Sequence, residues 1–98
     1  MTRTKAYFVE KITEKTGIPR QQVKGILEMF LSEIKESLRN NDRIEIRGFG
    51  VFMNKLKKGK IGRNPKNKVE VRIPDRYQPV FKASKEFKKE IAEKIKKE

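Results

Sequence analysis

Residues 54–72 read NKLKKGKIGRNPKNKVEVR, and positive charge is concentrated in this stretch. Its nineteen residues hold eight basic side chains and one acidic side chain, Glu70, so it supplies seven of the thirteen net positive charges of the chain. The basic residues are Lys55, Lys57, Lys58, Lys60, Arg63, Lys66, Lys68 and Arg72. β-Branched residues alternate at Val69, Val71 and Ile73, which is typical of a strand. The stretch therefore predicts an anion-binding β-structure.

We interpret this stretch as two strands joined by a turn around Gly62, Asn64 and Pro65, since these residue types favour turns. Its apolar side chains are too few to bury a core, so the two strands are predicted to project from the body as a ribbon arm. Strand alternation turns about half of the arm lysines away from any ligand, and the sequence leaves open which half.

The composition limits the function classes. With 98 residues the chain is expected to form one domain, and its net charge of +13 indicates a polyanionic partner, either nucleic acid or an anionic membrane surface. Residues 1–11 lack the apolar segment of a secretory signal and no apolar run approaches 18 residues, so we expect neither a signal nor a membrane span. We accordingly expect a cytoplasmic protein.

Histidine and cysteine are both absent from the sequence. The carboxylates are scattered among lysines rather than paired, so no nucleophile and base can be assembled from them. We therefore expect no enzymatic activity, no metal, no cofactor and no small-molecule substrate.

The first forty residues predict a pair of helices. Apolar residues recur at helical spacing within residues 4–16, Gly17 is suited to the position after a helix, and Pro19 is suited to the first turn of the next one. The second helix, residues 19–40, carries the longest apolar series in the sequence. Its members are Val23, Ile26, Leu27, Phe30, Leu31, Ile34 and Leu38, with Met29 at one edge.

The broad apolar stripe of the second helix has two interpretations. It is either the core helix of a monomer, or a helix that packs against its own subunit on one side and against a second copy on the other. We favour the second copy, because the first helix offers too few apolar residues to cover the stripe. Residues 1–41 are thus predicted to be a helical dimerisation part.

Strands follow the helices. Residues 43–47 alternate strictly between apolar and charged side chains, as a half-buried strand does. The two glycines beside Phe49 allow positive φ, and Phe49 can anchor the turn in the core. A second strand begins at residues 51–54 and enters the arm, and residues 68–73 are predicted to return as the third strand.

The C-terminal part predicts a third helix over residues 84–97. Ser84 is a candidate cap, and Phe87, Ile91 and Ile95 recur every four residues. The predicted fold class is therefore α+β: an N-terminal two-helix hairpin, a three-stranded antiparallel sheet with a long protruding β-ribbon arm at residues 54–72, and a C-terminal helix.

Three motifs in order, RGFGVF at residues 47–52, GRNP at residues 62–65 and PVFKASKEFK at residues 79–88, resemble the bacterial DNA-bending proteins of the HU and integration host factor type. Each motif alone is weak, but the combination with a basic arm between them is specific. The resemblance covers essentially the whole chain.

The resemblance implies an intertwined dimer whose two ribbons reach around double-stranded DNA in the minor groove. It implies that Pro65, flanked by Arg63 and Asn64, wedges between base pairs and bends the duplex, and that the protein compacts the bacterial chromosome in the nucleoid. A homodimer is expected, with a heterodimer with a paralogue as the alternative. Many members have a Thr-Gly turn after the proline, whereas this chain has Asn67 and Lys68, so Asn67 is expected to take the left-handed position instead.

The expected DNA contacts combine the arm, its base and two flanking positions. They are Lys5, Arg47, Lys55, Lys57, Lys58, Lys60, Arg63, Asn64, Pro65, Lys66, Lys68, Arg72, Lys82, Ser84, Lys85 and Lys89. Two alternatives stay open: a site-specific bender like integration host factor, and a basic RNA-binding protein. RNA readers usually stack bases on exposed aromatic side chains, and residues 54–72 contain none.

Overall fold

A computed structural model describes residues 1–63 and 65–96, with side chains as far as residue 94. Its elements in chain order are α1 (Lys5–Thr16), α2 (Arg20–Arg39), β1 (Ile44–Ile46), β2 (Gly50–Lys57), β3 (Lys60–Arg63), β4 (Glu70–Ile73), β5 (Arg76–Ala83) and α3 (Lys85–Lys96). The α+β class predicted from the sequence is confirmed. The predicted positions Asn64 and Lys97 and the side chain of Ile95 lie outside the described residues.

The chain divides into two units, Met1–Glu36 and Ser37–Glu98. In the first unit, Gly17 ends α1 with a φ of 76°, and its N–H donates to the Thr13 carbonyl oxygen at 2.9 Å. Pro19 opens α2, because its carbonyl oxygen accepts hydrogen bonds from the N–H groups of Gln22 and Val23. The predicted boundary between the two helices is confirmed.

Very little of the apolar surface of these helices is covered by the chain itself. Val9 and Val23 are the only buried apolar side chains among the described residues. In α2, Ile26 is 62% exposed and Met29 is 68% exposed, and Phe30 is also about half exposed. An apolar face of this size is unfavourable in water, and within the first unit α1 leaves it uncovered.

The sheet of the second unit has the strand order β1-β2-β5, and both pairings are antiparallel. This corrects the predicted third strand: it is β5, and not residues 68–73, that pairs with β2. Pro79 is the reason that β5 was not predicted from the sequence. Proline cannot donate a backbone hydrogen bond to a neighbouring strand, so it argues against a central strand. Among the described strands β5 pairs with β2 alone, so its other edge forms no ladder and accommodates Pro79, which lies opposite Asn54.

Four phenylalanines hold the sheet to α3. The Phe49 ring lies 4.9 Å from the Phe81 ring and 5.5 Å from the Phe87 ring, and the Phe52 ring lies 4.9 Å from the Phe81 ring. The position of Phe49 follows from the turn that carries it, in which Gly48 has a φ of 78°. Phe49 anchors the turn through these ring contacts, but its side chain is 43% exposed, so the prediction that it lies in the core is wrong.

Gly50 needs to be glycine for a different reason from the one predicted. Its φ is not positive. A Cβ atom at this position would overlap the Lys82 carbonyl oxygen and would lie 2.6 Å from the Phe81 ring. Close approach of β5, and not backbone conformation, is therefore what excludes a side chain here.

The tip of the ribbon corrects a second expectation. The left-handed residue is Lys68, with a φ of 57°, and not Asn67. Asn67 instead uses its side chain, because its Oδ1 accepts a hydrogen bond from the Val69 N–H at 3.1 Å. Asparagine side chains in turns commonly accept a hydrogen bond from the backbone N–H two residues later. Lys68 is left in the left-handed conformation, which costs a residue with a Cβ atom about 1 kcal/mol or more.

Lys68→Gly is expected to stabilise the β3–β4 ribbon by about 0.5–1 kcal/mol, because glycine reaches positive φ freely but loses more chain entropy on folding. Amide hydrogen exchange of the β3 and β4 residues should slow by about two- to fivefold. Asn67→Gly is the control, since it removes the hydrogen bond from the Val69 N–H and leaves Lys68 in the left-handed conformation. Equal exchange rates in the two variants would contradict the assignment.

Candidate nucleic-acid interface

The basic arm consists of two ladders in one register. The inner ribbon is the β2–β5 ladder, which runs from Gly50 opposite Ala83 to Lys57 opposite Arg76. The outer ribbon is the β3–β4 ladder, which runs from Lys60 opposite Ile73 to Arg63 opposite Glu70. Because residues directly opposite each other lie on the same face of a ladder, this register decides which side chains share a surface.

The inner ribbon has one basic face and one apolar face. Lys55 and Lys57 share a face with their partners Gln78 and Arg76, and Lys82 continues this face toward the body. The opposite face carries the pairs Phe52–Phe81 and Leu56–Tyr77. Lys55 and Lys57 therefore lie together on the face away from Phe52 and Phe81.

Arg76 belongs to this basic face, although it was not among the residues predicted from the sequence. The prediction ended the arm at Arg72, so Arg76 fell outside the expected strands. The signal that could have found it is the alternation along β5, in which Arg76, Gln78 and Lys82 occupy one face. Arg76 is exposed and lies directly opposite Lys57.

The outer ribbon distributes its charges differently. Arg72 lies opposite Ile61, and Arg63 lies opposite Glu70 on that same face. Lys60, opposite Ile73, lies on the other face. The outer ribbon is thus basic on both faces, whereas the inner ribbon is basic on one.

The remaining arm positions lie at the ends of the outer ribbon. Pro65, Lys66 and Lys68 belong to the tip, where Pro65 is exposed. Lys58 lies between the two ladders, where no strand pairing is formed. The tip therefore presents an apolar ring next to basic side chains.

A concave cleft of about 490 Å³ lies on the sheet near the turn at Gly48. It brings together three of the predicted contact residues, Arg47, Lys82 and Ser84, and adds Arg43, Glu45 and Glu86. The two carboxylates among the basic side chains distinguish this cleft from the arm. Glu45 and Arg43 were interpreted in the sequence only as the polar face of β1.

Ser84 also has a structural task. Its Oγ accepts a hydrogen bond from the Phe87 N–H at 3.2 Å, which confirms it as the cap of α3, and its own N–H donates to the Phe49 carbonyl oxygen at 2.9 Å. Lys85 and Lys89 are exposed in the first turns of α3 and do not line the cleft.

Lys5, in the first unit, is engaged in an ion pair. Its Nζ donates to Glu28 Oε1 at 2.9 Å, and this hydrogen bond lowers the pKa of the Glu28 carboxyl. A second pair joins Arg20 to Glu10 and, by its hydrogen bond, lowers the pKa of the Glu10 carboxyl. Both carboxylates are charged at neutral pH, so a phosphate that reached Lys5 would compete with Glu28 for the ammonium group.

Over residues 1–63 and 65–96, no cluster of three or more acidic side chains is arranged to hold a metal ion. No helix in that part of the chain is both long enough and apolar enough to cross a membrane.

The inner ribbon carries an exposed aromatic side chain, although residues 54–72 contain none. The ribbon extends into β5, where Tyr77 is 64% exposed on the apolar face.

A basic β-ribbon with an exposed tip, rooted in a small sheet that is covered by a helix, defines the class of nucleic-acid-binding proteins that use strands as arms. The family model described as "Bacterial DNA-binding protein" matches residues 3–92. The chain belongs to this family, which comprises architectural DNA-binding proteins of the HU and integration host factor type.

Individual relatives and a solved structure agree with this placement. The chain is 36% identical over 88 residues to integration host factor subunit beta of Idiomarina loihiensis, covering 90% of this chain and 95% of that one. It is 32% identical over 90 residues to DNA-binding protein HU of Thermus thermophilus, covering 92% and 93%. An HU–DNA cocrystal structure from Anabaena superposes with a TM-score of 0.84 at 31% identity, covering 92% of this chain and 98% of that one.

The basic face of the inner ribbon should account for a measurable part of the salt dependence of DNA binding. The double variant Lys57→Ala, Arg76→Ala is expected to lower the slope of log K against log salt by about one unit for each phosphate that the protein no longer neutralises. Lys35→Ala, Lys94→Ala removes the same charge outside the arm and is the control. A slope equal to that of the control would show that this face does not bind phosphates.

Proposed function

We propose that two copies of this chain form an architectural protein that binds double-stranded DNA in the minor groove with weak sequence preference. The tip residue Pro65 wedges between base pairs, and the resulting bends compact the bacterial chromosome. The protein acts by binding and bending, without a catalytic step, and its place is the nucleoid. The observation that carries the proposal is the cationic ribbon that ends in an exposed proline ring.

The ribbon has the charge and spacing for phosphate binding. Strand residues on one face recur about every 6.6 Å, so lysines and arginines along β2 and β5 can follow a phosphate backbone without reading bases. The minor groove offers a nearly degenerate pattern of donors and acceptors, so side chains in it distinguish A·T from G·C pairs and little more. Weak sequence preference follows from this choice of groove.

The apolar ring of Pro65 adds an interaction that the basic side chains do not supply, because it can insert between stacked base pairs. An inserted ring separates two stacked base pairs at a cost, which is offset when the bent flanks bring more phosphates against the protein. Lys82 and Arg47 line one cleft at the base of the inner ribbon, which supports the proposal that they contact such flanks. All sixteen residues proposed from the sequence remain candidates for DNA contact, and we add Arg76 and Arg43 to them.

Pro65→Ala should reduce the bend angle of bound DNA while changing affinity by no more than about threefold, because it leaves every phosphate-binding charge in place. Fluorescence energy transfer between labels at the two ends of a short duplex measures the bend. Pro65→Leu is the matched variant, since leucine keeps an apolar wedge and should retain most of the bend. An unchanged angle in Pro65→Ala would refute the wedge.

Two alternatives make different predictions for DNA and RNA. A site-specific bender of the integration host factor kind would discriminate strongly between A·T-rich and random duplexes at roughly physiological salt, about 0.15 M, whereas we expect similar affinities. The exposed Tyr77 offers a stacking surface of the kind that RNA readers use, but it lies on the face opposite Lys55 and Lys57. A preference for duplex RNA over duplex DNA in competition would remove the minor-groove mechanism.

The dimer is proposed from the uncovered face of α2. Met29 is 68% exposed in the single chain, so Met29→Glu would be almost neutral in a monomer but would bury a charge in a dimer. Sedimentation should give twice the chain mass of 11.6 kDa for the unaltered protein, and Met29→Glu should weaken association by several kcal/mol. Lys35→Glu, on the same helix, is the control.

A single species of one chain's mass at micromolar concentration would contradict the dimer. Association only after a second, related chain is added would instead identify a heterodimer.

A further inference from the structure

Strand pairing is interrupted between the inner and the outer ribbon of the arm. Pairing stops after Lys57 and Arg76 and resumes at Lys60 and Ile73 in the same register, so residues 58–59 and 74–75 are skipped on the two strands. An interruption that keeps the register has no extra residue on either strand and is therefore not a bulge. Its cause must lie in the four residues themselves.

Backbone hydrogen bonding explains why the ladder stops here. Pro74 has no N–H group and cannot donate across the ribbon. The Gly59 N–H does not donate to a strand carbonyl; it donates to Asp75 Oδ1 at 2.6 Å. One side-chain carboxylate thus replaces the backbone acceptor between the inner and outer ribbons.

The backbones of the two strands lie too close together at this point for any side chain at position 59. A Cβ atom on Gly59 would overlap the Ile73 carbonyl oxygen and would lie 2.8 Å from the Pro74 carbonyl carbon. The Asp75 carboxylate therefore holds Gly59 at a point where its backbone lies against that of Ile73 and Pro74.

The charge of Asp75 is unfavourable for the function of the arm. Glu70 and Asp75 are the only acidic residues between positions 54 and 76, and a carboxylate beside Arg76 weakens attraction to phosphate. The hydrogen bond to Gly59 is the one contribution that this side chain makes within the described part of the arm.

We propose that Asp75 is a positioning residue for DNA bending: through its hydrogen bond to the Gly59 N–H, it fixes the direction in which the outer ribbon, with Pro65 at its tip, leaves the inner ribbon. The proposal rests on the proposed function for its effect on DNA. Its structural part, a fixed angle between the two ribbons, can be tested without DNA.

Two variants separate the hydrogen bond from the charge. Asp75→Asn removes the negative charge and keeps an Oδ1 acceptor for Gly59, whereas Asp75→Ala removes both. Loss of the charge should tighten DNA binding about two- to threefold in both variants. The angle between the ribbons and the DNA bend should change only in Asp75→Ala.

The free protein is tested first, by the distance between spin labels on the two ribbons. The chain contains no cysteine, so Gln78→Cys and Val71→Cys introduce the only labelling sites, one on each ribbon and about 23 Å apart along an extended strand. Labelled chains are diluted with unlabelled ones so that a dimer carries a single labelled chain. We expect a narrow distance distribution with Asp75 or with Asn at this position, and a broadened one in Asp75→Ala.

The DNA bend is then measured on end-labelled duplexes saturated with each protein. Asp75→Ala should give a smaller mean bend with a wider spread, and Asp75→Asn should match the unaltered protein. Identical spin-label distances in all three proteins, or identical bends in the two variants, would overturn the positioning role. If the unaltered protein binds without bending, the proposed function fails, while the spin-label result still decides whether Asp75 holds the joint.

Discussion

The antiparallel pairing of β2 with β5 determines which side chains share a face of the arm. Its register places Lys57 opposite Arg76 at one end and Gly50 opposite Ala83 at the other. Side chains alternate between the faces of a strand, so a slip by one residue would place Lys55 and Lys57 on the face of Phe81. The same slip would place Phe52 on the face of Arg76 and Lys82. The contacts among the rings of Phe49, Phe52 and Phe81, with Phe87 stacked on Phe49, penalise such a slip. The aromatic cluster thereby determines on which face the positive charge lies.

The helical part could be predicted from the sequence because its signals are local. Gly17 and Pro19 mark a helix boundary by their own backbone preferences, and Ser84 caps α3 through an atom of its own side chain. The ribbon depends instead on residues distant in sequence. Nothing within residues 76–83 shows that they pair with residues 50–57, so β5 and with it Arg76 were missed.

The conformation of the tip was also beyond local reasoning. Asparagine tolerates the left-handed region better than lysine does, so Asn67 was the reasonable choice for it. The structure uses Asn67 to hold the Val69 N–H, and Lys68 takes the strained conformation. Two local preferences of one residue competed, and the hydrogen bond to the backbone prevailed over the preference for positive φ.

The register shared by the inner and outer ribbons sets a rule for how the length of this arm can vary. An insertion of one residue in β3 alone would rotate Arg63 to the face opposite Arg72, and the tip would point to the other side of the ribbon. Equal insertions in both strands would keep every pair. By this rule, a change of one residue in both strands of this arm would keep the pairing and reverse the face toward which the tip points.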